Sequence, residues 1–432
     1  MTEAVLLDNF SLVNGTGRPP VSGAWVMVEE GVIVSVGTGS PPATTAKVLE
    51  GRGRWLLPGL WDSHMHIGFS AGGLVSPEEL SDEQLLLNWR AYLRSGVTSA
   101  VSVGDDPRTI LAARAAEREG RLLGPRIFAA GSVFTAPGGH PVGTILHGEA
   151  ARLRGLAAEV ADPVEGRRRL RRHIEEDEVD LVKVIYSSIP GDGPRLGRDV
   201  LDALVDEAHR LGRRIVAHVA TSAEAAECVA AGVDGVEHMV LDDGDVLEAV
   251  LAAARERGVC WTPTLCLFDR MAHDDDPAPY IEDYHPEGFV SRTVLASVRE
   301  WAARARRPAP GSPVPRWERT VELAGRAHAA GVRLALGTDA GMPAVFHGLA
   351  VHQELELLVR AGLTPTEALT AATATAAAKV GADAQLGTIE VGKQADLLIL
   401  RESPLEDIRN TRSIDLVIKR GSLFHPAELT VE

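Results

Sequence analysis

From residue 56 onward, short apolar runs alternate with amphipathic stretches of helical period. The runs fall at residues 56–60, 97–103, 126–134, 181–186, 214–219, 235–239, 259–267 and 333–336. Helix-like stretches fall at 83–95, 109–119, 165–176, 199–211, 222–231, 246–257, 316–330 and 349–360. Several of these are followed by glycine, as at Gly96, Gly212, Gly232, Gly258 and Gly362, where a left-handed residue ends a helix at little cost. Apolar, β-branched strands separated by helices are buried on both faces, as in a parallel sheet. Eight such units predict an α/β fold, a (β/α)8 TIM-type barrel. A doubly wound sheet is the alternative, but no glycine-rich dinucleotide fingerprint follows any of the strands.

The two ends of the chain carry a different pattern. Residues 4–7, 23–29 and 32–36 are apolar or alternating, with turn signals at Asn14-Gly15 and Glu30-Gly31 and no helix-length segment. Strand character returns at 386–391, 395–400 and 414–419, with turns at Gly392-Lys393 and Arg420-Gly421. Pairing the two ends would protect their edges, so residues 1–56 and 386–432 are expected to form one small β-sandwich domain, and residues 57–385 the barrel. Two barrel loops are long, 135–163 and 269–315. The second holds Asp274-Asp275-Asp276-Pro277 and a helix-like stretch at 291–306, and reads as either a lid or a surface excursion.

Composition narrows the class. The chain has 432 residues, 45% hydrophobic, enough for a sizeable core. Its net charge of −16 and low aromatic content argue against a nucleic-acid surface. Cys228, Cys260 and Cys266 form no disulfide framework and no zinc-binding pair, which fits a reducing, cytoplasmic setting. No signal-peptide pattern opens the chain and no run is long enough to span a membrane.

The first barrel run leads into Asp62-Ser63-His64-Met65-His66. Alternation along a strand puts His64 and His66 on one face, about 7 Å apart, where two imidazoles can hold a divalent metal. In a barrel the active site forms at the C-terminal strand ends. Titratable residues recur at those ends: Lys183 in the fourth run, His218 in the fifth, His238 in the sixth, and Asp339 after the eighth. Each would be costly to bury unpaired, and a metal explains all of them together. Lys183 amid Leu181, Val182, Val184 and Ile185 has three readings: an ion pair with a nearby carboxylate, a Schiff-base lysine, or a neutral amine that has taken up CO2 as a carbamate able to bridge two metals.

Pro58-Gly59-x-x-Asp62-x-His64-x-His66, the strand-4 lysine, the single histidines of strands 5 and 6, and Gly337-Thr338-Asp339 together resemble the amidohydrolase superfamily. The end segments agree, notably Asn14-Gly15-Thr16-Gly17 and the stretch from Leu386-Gly387-Thr388 to Ala395-Asp396-Leu397. Gly138-Gly139-His140, and His347-Gly348 with Glu354-Leu355, look most like the metal-dependent prolidase and imidazolonepropionase-related branch. The resemblance implies that His64, His66 and Asp339 hold one metal, that His218 and His238 hold another, and that a carboxylated Lys183 bridges them. A hydroxide between the metals is then the expected nucleophile, with Asp339 as general acid and base. Zn²⁺ suits such ligands, as do Mn²⁺, Fe²⁺ and Co²⁺.

His140, Tyr186 and His347 are expected to face the substrate; Arg292 is a weaker candidate. His147, His173, His209, His273, His285, His328, His352 and His425 read as surface or helix-face residues without a catalytic role. The run Ile185-Tyr186-Ser187-Ser188 departs from the small residues that prolidase-like relatives often carry after the lysine, so the resemblance does not fix a peptide as substrate. The leading expectation is a binuclear hydrolase of an amide-type C–N bond in a dipeptide, N-acyl amino acid or cyclic amide. The alternatives are a one-metal deaminase or imidazolone-type ring hydrolase, and a lactone or ester hydrolase. The expected partner is a small molecule, with no nucleic acid and no membrane; a homo-oligomer would follow the family's habit.

Overall fold

The computed structural model describes residues 4–68, 80–145, 155–188, 193–272, 290, 292–304 and 317–430. Among the described residues a parallel strand forms in each of the eight barrel runs: Leu60–Met65, Val97–Ser102, Arg126–Ala129, Leu181–Ile185, Arg214–His218, Gly235–Glu237, Cys260–Thr262 and Arg333–Leu334, the fourth of them pairing with Val133–Thr135 beyond the third. The chain after the last strand closes the ring against the first. There the amide of Ser63 donates to the carbonyl of Leu336 (3.0 Å), and those of Thr338 and Asp339 to the carbonyl of His64 (3.1 and 2.8 Å). The expected helices form within one or two residues of their predicted spans, for example Asp82–Arg94, Ser222–Ala231 and Leu349–Arg360. Local chemistry sets their starts: Thr221 and Glu224 form a capping box, and Asp162 accepts from the amides of Val164 and Glu165.

Four strand expectations are corrected. The apolar run at 56–60 is two strands. Trp55–Pro58 pairs antiparallel with Leu397–Leu400 in the terminal sheet, and the barrel strand starts only at Leu60. Hydrophobicity shows no break there, because Gly59 is defined by packing: a Cβ on it would strike Thr98. The run at 126–134 stops at Ala129 and resumes as Val133–Thr135, with Gly131 at φ 62° between them. The run at 259–267 ends at Thr262, and Leu265–Ala272 is helical. The Glu354 carboxylate caps this helix, accepting from the amides of Leu265 (2.9 Å) and Cys266 (2.8 Å). Residues 386–391 form no strand, although Leu386 and Ile389 are buried.

The two chain ends do meet. Val5–Leu12, Val21–Glu29, Val32–Thr38, Lys47–Glu50 and Trp55–Pro58 join Leu397–Leu400, Ile414–Lys419 and Ser422–Phe424. Where a sandwich is expected, hydrogen bonding runs through one continuous eight-stranded sheet. Its core, which includes Phe10, Val26, Leu56, Ile399 and Leu416, is separate from that of the barrel.

Much of the long loop at 269–315, including Asp274-Asp275-Asp276-Pro277, lies outside the described residues, so neither the lid nor the surface reading is tested. Its described part includes the helix Arg292–Arg304, on which Arg292 is exposed. Val290, Val294, Leu295 and Val298 pack against Ala344, Phe346 and Leu349. Among the described residues no helix is long and apolar enough to cross a membrane.

Candidate metal centre

At the C-terminal ends of the strands lies a cavity of about 360 Å³, lined by His64, His66, His140, Lys183, His218, His238 and Asp339. Six of these seven are the ligands expected from sequence, and the seventh, His140, is one of the expected substrate contacts. The ring of His218 lies 4.4 Å from that of His238, and the ring of His64 lies 4.7 Å from His238 between centroids. Asp339 Oδ1 is 3.5 Å from His64 Nε2 and 3.2 Å from His66 Nε2, and Asp339 Oδ2 is 3.8 Å from His238 Nδ1. His140 stacks on His218 at 5.0 Å.

The outward nitrogens fix the tautomers. Nδ1 of His64 faces Glu237 Oε2 at 2.6 Å, and Nδ1 of His66 donates to the carbonyl of Gly104. With the proton on Nδ1, each ring turns an Nε2 lone pair toward Asp339, as a metal ligand must. Buried His64 Nε2, Lys183 Nζ, His218 Nε2 and Asp339 Oδ1 find no hydrogen-bond partner among the described residues. Leaving such groups unsatisfied is expensive, and nitrogen and oxygen lone pairs lining one cavity are suited to holding cations.

Electrostatics agree with ligand roles. Burial, then neighbouring His238, pushes His218 well below its ordinary range; burial and His64 do the same to His238. Both rings are therefore neutral. Burial raises the Asp339 carboxyl, but His64 and His66 outweigh it and keep it ionised. Burial lowers the Lys183 amine to about 8. His66 moves the other way: burial lowers it, but Asp339, Asp105 and the Gly104 carbonyl together raise it more, and the carboxylates that draw a proton to that ring also draw a cation.

The backbone is strained where it presents two of these groups. His238 has φ 69° and Asp339 φ 59°, in the left-handed region that Asp and His tolerate better than most residues. Close approach is built in as well. A Cβ at Gly337 would lie 2.6 Å from His64 Cβ, and one at Gly341 would strike the carbonyl of His66.

Two of the expected substrate contacts lie outside the cavity lining. Tyr186 does not line the cavity: its hydroxyl donates to Glu227 and Arg195 lies over its ring at 4.6 Å. Lys183 and Ile185 share the inward face, so Tyr186, one residue on, points outward. His347 does not line it either. Its Nε2 donates to the backbone carbonyl of His66 at 2.9 Å, and its ring meets Tyr92 edge-on at 5.6 Å, which makes it a support for the His66 segment. Two histidines read as surface or helix-face residues are buried but lie away from the cavity. His173 bonds the carbonyl of Ala130 at 2.7 Å and His352 faces Thr411 Oγ1 at 2.9 Å. His147, His273 and His285 lie outside the described residues.

Apart from Asp62, which the first-strand motif already contains, the supporting residues are what sequence reasoning missed. Glu237 is fully buried, and its second oxygen lies 2.7 Å from Lys379 Nζ. Lys379 also donates to the carbonyl of Ser63 (2.7 Å) and to Thr262 Oγ1 (2.8 Å), tying the last barrel helix to three strands. Asp62 accepts from the amide of Thr338 (3.0 Å) and from the hydroxyl of Tyr92 (3.1 Å), fixing the loop that carries Asp339. Asp105 accepts from the amides of Ile67 (2.9 Å) and Gly68 (2.7 Å) just beyond His66. Besides Asp62, a lysine closing the alanine-rich run at 374–378 was a readable signal for this network.

The chain matches a model of the Amidohydrolase family over residues 55–424, and it belongs to that family. It is 28% identical to the ochratoxinase of Aspergillus niger over 446 residues, which cover 96% of this chain and 85% of that protein. Two solved structures resemble it along nearly their whole length. One is a Xaa-Pro dipeptidase with bound methionine, at TM-score 0.78 and 26% identity, covering 98% of this chain and 100% of the other. The other is a prolidase complexed with N-methylphosphonate-L-proline, at TM-score 0.76 and 26% identity, covering 98% and 99%. The chain is thus a hydrolase of amide-type carbon–nitrogen bonds, in a family that usually binds metal.

Proposed function

We propose that this chain is a binuclear metal-dependent hydrolase of small-molecule amides. His64, His66 and Asp339 would hold one divalent ion and His218 and His238 the other, with a carboxylated Lys183 shared between them. Zn²⁺ fits this nitrogen-and-oxygen donor set, and Mn²⁺, Fe²⁺ or Co²⁺ would serve. The observation that carries this reading is the convergence of all six side chains on one cavity, four of them with a buried inward atom left unsatisfied. When bound, the ions supply an activated water and polarise the substrate carbonyl.

The chain's own residues do the rest. The Lys183 amine, buried among apolar neighbours, attacks the carbon of CO2 and loses a proton, leaving an anionic carbamate. Asp339, held ionised, takes the proton of the attacking water and passes it to the departing nitrogen. His140, whose pKa burial lowers to about 4, is neutral and can donate a hydrogen bond to the carbonyl oxygen. The remaining wall is mostly apolar, with Ile145, Leu156, Leu241, Phe268, Met271 and Met342. It excludes water and favours a substrate with a bulky apolar group beside the scissile amide. Dipeptides, N-acyl amino acids and cyclic amides meet that description, and the dipeptidase, prolidase and ochratoxinase relatives support it. The acidic chain and its lone cysteines suit a cytoplasmic enzyme.

A second reading has one specific observation behind it. His64, His238 and Asp339 offer ligand atoms that all lie within 4.8 Å of one another, a trio that could hold a single ion for deaminase or imidazolone-type ring-opening chemistry. Elemental analysis of protein expressed with zinc and bicarbonate separates the two. Two metals per chain are expected; one metal per chain, with full activity, would overturn the binuclear reading.

A further inference from the structure

A second cavity, of about 420 Å³, lies at the opposite end of the barrel. Arg118 closes a helix there, Arg126 opens the third strand, Arg213 precedes the fifth, and Arg420 follows the strand Ile414–Lys419. The segment 380–386 forms the remaining wall, and Asp180 is the one carboxylate in the lining. Asp180 is already engaged, at 2.7 Å from Arg114 and 2.9 Å from the amide of Ala129, with Arg118 at 3.4 Å. The acids behind the wall are also engaged: Asp396 with Arg126 at 3.1 Å, and Glu117 with Lys419 and Arg420. Four guanidinium groups against one lining carboxylate make this a basic cavity in a chain of net charge −16. The Nε atoms of Arg126 and Arg420 are buried and find no hydrogen-bond partner among the described residues, and Arg213 spends its Nε on the carbonyl of Val179 (2.8 Å).

We propose that this cavity binds a phosphate-type dianion, either inorganic phosphate or a phosphate monoester, at a site separate from the amide-hydrolysing one. Planar guanidinium donors match the oxygens of a phosphate, and several of them on one side of a cavity raise the local anion concentration. The cavity has space for the organic part of an ester beside the phosphate group. Arg118, about half exposed, and Arg213 can be changed without emptying a core position.

The test is calorimetric titration of the metal-loaded enzyme at constant ionic strength, with inorganic phosphate in one arm and ribose 5-phosphate in the other. The proteins compared are the wild type, Arg118→Gln, and the double variant Arg118→Gln/Arg213→Gln. Saturable binding is expected in at least one arm, weakened about tenfold or more in the double variant through loss of charge-assisted hydrogen bonds. Amide hydrolysis should be unchanged, since neither arginine reaches the metal cavity. The stronger arm tells free phosphate from an ester. Equal binding by wild type and both variants would place the anion on the metals and overturn the proposal, as would the absence of binding in both arms. If the double variant folds poorly, Arg118→Gln alone decides: unaltered binding there overturns the proposal.

Discussion

Glu237 Oε2 stands 2.6 Å from Nδ1 of His64, both side chains being buried, and this contact aims the other nitrogen of His64 into the metal cavity. Burial raises the Glu237 carboxyl, but Lys379 and His64 together outweigh it and hold it ionised. Lys379→Met would strip the carboxylate of its cation in a fully buried place. Removing one partner of such a pair costs about 3–5 kcal/mol, and disturbing the support of a ligand lowers metal affinity by about 10–100-fold. Both losses should show in a denaturant titration and in metal content. The double variant Lys379→Met/Glu237→Gln should recover much of the stability while remaining poor in metal. Full metal content in the double variant would refute the aiming role.

Asp339 gives a sharper readout, because its proposed work is proton transfer. Asp339→Asn keeps the shape of the side chain and loses the base, so kcat should fall by about 10²–10⁴ with KM little changed. Metal content is measured on the same sample, since Asn is also a weaker ligand. Unchanged kcat would sink the assignment.

The barrel was legible because strand and helix periods alternate in the chain, and because His64, His66, Lys183, His218, His238 and Asp339 each stand within or shortly after a strand-like run. The supporting groups were not legible, for a geometric reason. Glu237 and His238 are neighbours, and strand alternation would send them to opposite faces. The left-handed φ of 69° at His238 breaks that alternation and brings both inward. Lys379 reaches Glu237 across 142 residues of chain, from 237 to 379, and no local pattern records such a meeting. The boundary at Gly59 was hidden for the opposite reason, since two strands of different sheets share one apolar run.

Lys183 tests the bridge directly. The Lys183→Ala variant should lose the carbamate and hold fewer metals than the wild type. Metal-free wild-type protein should regain metal faster when bicarbonate is added, and the variant should be indifferent to it. Elemental analysis along the reconstitution time course reads both. Equal bicarbonate dependence in the two proteins would remove the carbamate from the mechanism.

Tyr186 and His140 make a contrasting pair. The family resemblance offered His140 as a substrate contact and position after Lys183 offered Tyr186, but only His140 lines the cavity, while the Tyr186 hydroxyl is held by Glu227. Glu227 is partly exposed and also faces Arg195 at 3.5 Å, so it keeps a partner when the phenol is lost. Tyr186→Phe should therefore cost about 1 kcal/mol of stability, the range of a single hydrogen bond, and leave kcat/KM close to the wild-type value. His140→Ala should do the reverse. It removes a donor beside the reacting carbonyl, which lowers kcat by about 10²–10³, while the fold, judged by thermal melting, stays intact. A large kinetic loss in Tyr186→Phe would mean that the outward ring turns into the cavity when substrate binds.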